Sequence, residues 1–250
     1  MTNSNAVIIT GASRGIGAAV ARLVAAQGSP VVINYSADDS SAESVASAIR
    51  ADGGEAMTIQ ADLRHEEDIL RIFALAIEKY GRIGGLVNNA GVTGGFSRVE
   101  DLRLSAIEEV FRVNVTGMIL CAREAVKHMS LKRAGAGGAI VNISSLAART
   151  GGANEWVHYA ASKGAVNSFT VGLAREVAEE GIRVNAVAPG LIETELHSIN
   201  GRPERLPELA PSVPMKRAGS PDEVAAGVLW LLSDAASYTT GTILEIGGGR

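Results

Sequence analysis

Short apolar runs alternate with longer amphipathic stretches almost from one end of the chain to the other. Seven of the runs read as strands: Ala6–Ile9, Pro30–Asn34, Ala56–Gln60, Gly84–Asn88, Ala139–Ile143, Arg183–Ala188 and Thr242–Ile246. They are rich in Val and Ile and continuous rather than alternating, which is the pattern of strands buried on both faces. Between them, stretches at 15–27, 39–52, 66–79, 104–129, 158–180 and 222–233 read as helices, the last opened by Pro221-Asp222-Glu223. Strict alternation of strand and helix implies parallel strands joined by right-handed crossovers. The expected fold is therefore α/β: a doubly wound, seven-stranded parallel sheet with helices on both faces.

Composition narrows this without changing it. The chain has 250 residues, 46% of them hydrophobic but only 4% aromatic, with 29 glycines. That describes small side chains packed closely on a buried sheet. A chain of this length buries enough surface to need no disulfide or metal staple. The one cysteine, Cys121, cannot form an intrachain disulfide. A net charge of −4 carries no polyanion-binding footprint, so no nucleic-acid partner is expected. No apolar stretch reaches membrane-spanning length and no signal peptide is visible, so the expected setting is cytoplasmic, with no membrane partner. The histidines His65, His128, His158 and His197 are scattered, and no metal site is expected. His158 is expected at the surface and Cys121 packed inside a helix. No linker or repeat divides the chain, which is expected to form one domain over 1–250. The stretch at about 193–220, with Pro203, Pro207, Pro211 and Pro214, cannot be one regular element and reads as a substrate lid after a strand.

The first strand runs into the first helix through Thr10-Gly11-Ala12-Ser13-Arg14-Gly15-Ile16-Gly17. Glycines there let the backbone turn sharply and approach a pyrophosphate, while the helix N-terminus offers free N–H groups to the anion. The spacing is G-x-x-x-G-x-G, not the common G-x-G-x-x-G, and it lacks the Gly-Lys-Ser/Thr ending of a triphosphatase loop. Alone, such a turn also suits any tight strand–helix junction. Tyr159 and Lys163 lie four residues apart on one helix face. An ammonium beside a phenol is expected to lower its pKa and let it exchange a proton with a carbonyl or alcohol oxygen. A nearby serine hydroxyl could hold the developing oxyanion. Ser144 and Ser145 both end the fifth strand and point to opposite faces, so only one can do so.

Read together, the glycine turn, Asn88-Asn89-Ala90-Gly91, Asn114, Ser145 and the Tyr159-x-x-x-Lys163 pair resemble the classical short-chain dehydrogenase/reductase family over nearly the whole chain. Within it, Asn185, Pro189-Gly190, Thr194 and Pro214-Met215-Lys216-Arg217 are similar to the late motifs of 3-oxoacyl-carrier-protein reductases and glucose 1-dehydrogenases. The resemblance implies a single-domain Rossmann fold and an oxidoreductase interconverting a ketone and a secondary alcohol by hydride transfer. It implies Tyr159 as proton donor or acceptor, Ser145 as its partner with Ser144 packing behind, Lys163 on the nicotinamide ribose, and Asn114 holding a relay water. It implies cofactor contacts from Gly11, Ser13, Arg14, Gly15, Ile16 and Gly17, and from Asp62 and Leu63 at the adenine. Asn88, Ala90 and Gly91 would meet the adenosine ribose, with Pro189, Gly190, Ile192 and Thr194 at the nicotinamide end. The second strand ends Ile33-Asn34-Tyr35-Ser36 with no carboxylate to claim a ribose 2′-OH. Asn34, Tyr35, Ser36 and Arg14 would then receive a 2′-phosphate, favouring NADP, with NAD possible because Asp38 and Asp39 follow closely.

A homotetramer acting on a small-molecule carbonyl or alcohol is also implied. Docking of an acyl carrier protein through Lys132 and Arg133 is doubtful, because Glu179-Glu180 stands where those reductases carry a second arginine. The alternative reading is a non-catalytic NADP-sensing or scaffold protein on the same fold. Turnover of a ketone panel with NADPH would separate the two.

Overall fold

Neighbouring residues of each strand feed different layers. Val7 and Ile9 of β1 (Ala6–Ile9) pack against one set of helices, and Ile8 between them packs against the other. Strands covered on both sides need continuous apolar sequence, which is why the runs do not alternate. The computed structural model describes residues 5–195 and 204–250.

Seven parallel strands form one sheet in the order β3-β2-β1-β4-β5-β6-β7. The others are β2 (Val31–Tyr35), β3 (Ala56–Gln60), β4 (Ile83–Asn88), β5 (Gly138–Ile143), β6 (Ile182–Pro189) and β7 (Ile243–Ile246). In register, Ile8 pairs with Val32 on one side and with Leu86 on the other. The first face is covered by α1 (Gly15–Ala26), α2 (Asp39–Ala51) and the late helix Pro221–Leu232. The second is covered by α3 (Glu66–Tyr80), α5 (Met118–Met129) and α7 (Val157–Val177). The chain runs one way from β1 and the other way from β4, so the crevice outside their C-terminal ends is the topological switch point where ligands bind.

All seven expected strands are present with shifts of one residue or so at their ends. The expected helix at 104–129 is not one helix. It is α4 (Leu104–Phe111), a π-helical turn over Arg112–Gly117 and then α5. Widened turns of this kind tend to mark functional sites, because they displace main-chain carbonyls from the regular ladder. The expected helix at 158–180 is α7 followed by a 3₁₀ turn at Ala178–Glu180. Between β5 and α7 lies the one-turn α6 (Ala147–Thr150).

Of the expected lid at about 193–220, residues 196–203, His197 among them, lie outside the described residues. The rest holds the short helix α8 (Arg205–Leu209), a 3₁₀ turn at Ala210–Ser212 and a single bridge between Ile192 and Gly219. The final helix, α9 (Pro221–Leu232), starts where the sequence signals it. The Ser220 hydroxyl accepts from the Glu223 N–H at 3.2 Å, and the Glu223 carboxylate accepts from the Ser220 N–H at 2.8 Å. None of the described helices is long and apolar enough to cross a membrane.

Candidate active site

A cleft of about 810 Å³ opens along the C-terminal ends of the strands, within the range of ordinary cofactor sites. Its floor is bolted together by side chains of the two strands that flank the switch point. The Thr10 hydroxyl accepts from the N–H groups of Asn89 (3.0 Å) and Ala90 (3.1 Å). The Asn89 amide donates back to the carbonyls of Thr10 (2.9 Å) and Gly11 (2.8 Å). Gly11 has φ +61°, and a Cβ there would stand 2.9 Å from the Ala90 Cα. The turn therefore requires glycine for both conformation and space. At the start of α1, Arg14 occupies the cap position without a side-chain cap bond, so the first N–H groups of the helix have no side chain capping them at the cleft. This cradle fits the pyrophosphate of a dinucleotide.

Most of the residues expected at the cofactor do line this cleft. Gly11, Ser13, Arg14, Gly15 and Ile16 are at one end, with Asn34, Tyr35, Ser36, Asp62 and Leu63 beside them. Ala90, Gly91, Pro189, Gly190, Ile192 and Thr194 line it further on. Three expected residues are absent from its walls: Gly17, Asn88 and Asn114. Gly17 packs behind the turn, where a Cβ would fall 2.6 Å from the Gly11 carbonyl oxygen. Asn88 is interior; its amide donates to Asn142 at 2.9 Å, whose own amide donates to Thr170 at 2.9 Å. That buried polar chain ties β4 to β5 and α7, so the Asn88 side chain is committed to the scaffold.

The adenosine end differs from expectation in its hydrogen bonding. The Asn34 amide is consumed by the backbone, accepting from the Gly11 N–H at 3.3 Å and donating to the Ala61 carbonyl at 3.0 Å. The Tyr35 hydroxyl is held by Asp39. Neither side chain is free for a 2′-phosphate, and Ser36 is the exposed polar group of that segment. Arg14 is half-exposed and near two acids, Glu195 at 3.3 Å and Asp38 at 3.7 Å. Asp38 caps α2 by accepting from the Ser41 N–H, which holds its carboxyl below the usual range. Asp62 is held low as well, by the Arg64 guanidinium 2.5 Å away.

At the other end, Tyr159 and Lys163 stand on one face of α7, with the Lys163 ammonium 5.6 Å from the phenol ring centre. Both are buried. The two serines divide as expected. Ser144 turns inward to Asn167 (2.6 Å) and the Lys163 carbonyl (3.3 Å). Ser145 lines the cleft beside the Tyr159 phenol and accepts from the Ala147 N–H at 3.1 Å. Asn114 sits in the π turn with its side chain fully engaged. It accepts from the Val92 N–H at 2.8 Å and donates to the Val92 carbonyl at 2.8 Å and to Ser162 at 3.1 Å. A relay water would thus have to be held by its main chain.

The electrostatics depart from the simplest expectation. Burial pushes the Tyr159 phenol up to about 12, opposed by the neighbouring Ser145 hydroxyl and by the charge of Arg205. Burial also pushes the Lys163 ammonium down to about 8. Burial thus moves both groups toward their neutral forms, the opposite of the expected acidification of the phenol.

Two features were not read from the sequence. His158 is buried rather than on the surface, facing the loop after β4, and its pKa is lowered by that burial. Thr93 backbone lies close to the ring, yet neither ring nitrogen has a well-formed hydrogen bond. Arg205 reaches the cleft from α8. Lys132 and Arg133 lie where α5 leads into β5, at the end of the sheet away from the cleft, and Lys132 is 3.5 Å from Glu180. They are not beside the cleft as carrier docking would require. Cys121 is packed as expected, its thiol pushed up to about 12, and no group of metal-ligating side chains occurs among the described residues.

A parallel sheet with this strand order, a glycine cradle at its switch point and a Ser–Tyr–Lys set on the cleft wall define a nucleotide-dependent oxidoreductase of the short-chain type. Residues 11–250 match the family model described as enoyl-(acyl carrier protein) reductase. The chain belongs to the classical short-chain dehydrogenase/reductase family and is an NAD(P)-dependent oxidoreductase acting on CH–OH groups. It is 46% identical to the uncharacterized oxidoreductase YgfF of Escherichia coli, over 97% of this chain and 98% of that one. It is 38% identical to glucose 1-dehydrogenase 2 of Bacillus subtilis, over 97% and 93%. Among solved structures, a short-chain type dehydrogenase/reductase from Mycobacterium marinum superposes with a TM-score of 0.93 at 33% identity, covering 99% of this chain and 95% of that one.

Proposed function

We propose that the protein interconverts a ketone and a secondary alcohol with NADP, and that Tyr159 is its proton donor and acceptor. The observation that carries this is the Tyr159 phenol, buried in the cleft wall beside Ser145 and followed one helical turn later by Lys163. When bound, the nicotinamide supplies or accepts the hydride. The phenol, held up at about 12, is protonated at neutral pH and so ready to donate to a carbonyl oxygen, the form that reduction requires. Ser145 steadies the oxygen as charge develops on it. Lys163, at about 8, keeps a proton within reach of the same face and is the group suited to a ribose hydroxyl. Asn114 fixes Val92 and Ser162 around these groups.

NADP is preferred because Arg14 is half-exposed at the adenosine end, where its guanidinium can pair with a 2′-phosphate. Assembly into a homotetramer belongs to the same reading. Gly164 and Gly172 leave a strip of α7 with open space beside it, and Trp230 is exposed on α9. The substrate is a small carbonyl or alcohol compound.

The test is a panel of ketones and secondary alcohols assayed with NADPH/NADP and with NADH/NAD, on the wild type and on Tyr159→Phe. Turnover with at least one compound, a lower KM for the phosphorylated cofactor, and a loss of about 10³-fold or more in kcat for Tyr159→Phe are expected. Unchanged turnover in Tyr159→Phe, or tighter binding of NAD than of NADP, overturns the corresponding half of the reading.

A further inference from the structure

Three separate segments close the cleft beyond Tyr159, and one side chain joins them. Phe96 comes from the loop after β4, Glu155 and Trp156 from the turn before α7, and Arg205 from the first residue of α8. Phe96 and Trp156 are stacked, ring centres 4.7 Å apart at 21°, and the Trp156 ring is 5.4 Å from that of Tyr159. The Arg205 guanidinium lies 4.5 Å over Trp156 and 5.8 Å from Phe96. It grips Glu155 with two bonds, Nη2 to Oε2 at 2.6 Å and Nε to Oε1 at 3.2 Å.

This arrangement asks for more than packing. Two of the segments are already stitched without Arg205. The Ser97 N–H donates to the Glu155 carbonyl at 2.7 Å, and Arg98 donates to Asn154 at 2.9 Å. The part that Arg205 adds is the attachment of α8 to that wall. Its side chain is only 6% exposed, and burying a charge to that degree is unfavourable unless geometry or function uses it. A planar guanidinium suits the place, since it can stack on an indole and pair bidentately at once, which an ammonium cannot. Two cationic side chains therefore stand near Tyr159. Lys163 is on its own helix, its ammonium turned to the Ile143 carbonyl, and Arg205 is layered on Trp156, the ring next to the phenol.

We propose that Arg205 is a positioning residue for the carbonyl–alcohol reaction: clamped by Glu155 and layered on Trp156, it seats residues 205–212 at the substrate end of the cleft. The inference rests on Tyr159 being the proton donor and acceptor. The groups facing the phenol are Ser145 from the end of β5, Lys163 from its own helix, and Arg205 from α8, with Glu155 acting through Arg205. The Arg205 charge acts with Ser145 and against burial, in the direction that eases loss of the phenol proton.

The test uses the full-length protein with NADP and the best substrate of the panel above, and reads substrate KM and kcat separately for each variant. In Arg205→Met the substrate KM is expected to rise by about 3–10-fold, while NADP affinity stays within about twofold. Arg205→Lys does not restore the KM, having charge without the fork. Glu155→Gln leaves the guanidinium without its charged partner, so its substrate KM rises in the same direction by a smaller factor. A substrate KM within about twofold of wild type in both Arg205→Met and Glu155→Gln, with NADP binding intact, overturns the proposal. If Arg205→Met does not fold, the KM of Glu155→Gln still decides it. Tyr159→Phe separates the two levels: unchanged turnover in that variant overturns the Tyr159 reading itself, whatever Arg205 does.

Discussion

The Lys163 ammonium donates to the main-chain carbonyl of Ile143 at 2.7 Å, inside a wall that leaves the side chain buried. The last residue of β5 thus orients the cation beside the phenol, and the carbonyl is a poor substitute for the water the ammonium has lost. Burial of that charge shows as a pKa drawn down to about 8. Lys163→Met keeps the volume and removes the charge, exchanging a desolvation cost for an unpaired Ile143 carbonyl. The two effects are each about 1–3 kcal/mol and oppose one another, so stability is expected to change by no more than about 1 kcal/mol. Activity is expected to fall by about 10²-fold or more. Thermal melting and steady-state kinetics on the same preparation check both, and a variant that melts normally and turns over normally would remove Lys163 from the chemistry.

The switch point and the Tyr159–Lys163 pair were legible because each is local in sequence. Strand and helix alternation dictates the sheet, and a four-residue spacing dictates a shared helix face. What escaped is what depends on partners far along the chain. Asn88 and Asn34 look like cofactor residues by position, but their amides are taken by Asn142 and by the Gly11 and Ala61 backbone. Nothing local marks Arg205, whose partner Glu155 is 50 residues away and whose segment carries no periodicity. The break of the 104–129 helix into a π turn has no composition signal either. It follows from Asn114 reaching out to Val92 and Ser162.

Gly17 offers a sharper test of the cradle than the glycines that touch the cleft. A Cβ there would stand 2.5 Å from the Asn89 amide nitrogen, 2.6 Å from the Gly11 oxygen and 2.8 Å from the Ala12 Cα. Two of these three neighbours are backbone and cannot turn aside. Gly17→Ala should therefore force the turn off the helix and break the Asn89 bonds to Thr10 and Gly11. A loss of about 2–4 kcal/mol in stability is expected, with dinucleotide affinity reduced about tenfold or more. Urea unfolding and a fluorescence titration with NADPH measure the two. Retained affinity with the wild-type midpoint would show that the turn does not need this close approach.

His158 gives a pH dependence of stability whose sign can be worked out. Its ring is buried against Gly94, with a Gly94 Cβ position only 2.8 Å from Nε2, and both nitrogens lack a well-formed partner. Burial disfavours the charged form, so the folded pKa lies below the ordinary 6.5. Above about 6.5 the ring is neutral in folded and unfolded chains, and the histidine adds no pH dependence. As pH falls below that value the unfolded chain takes up a proton that the folded chain resists, and stability drops until the folded pKa is reached. His158→Phe removes that term and the two unpaired nitrogens while filling the same space. Stability measured by urea at pH 5 and pH 7.5 should differ less in the variant than in the wild type, with the variant gaining most at pH 5. Equal differences in the two proteins would mean that the imidazole finds a proton-accepting partner in the folded state.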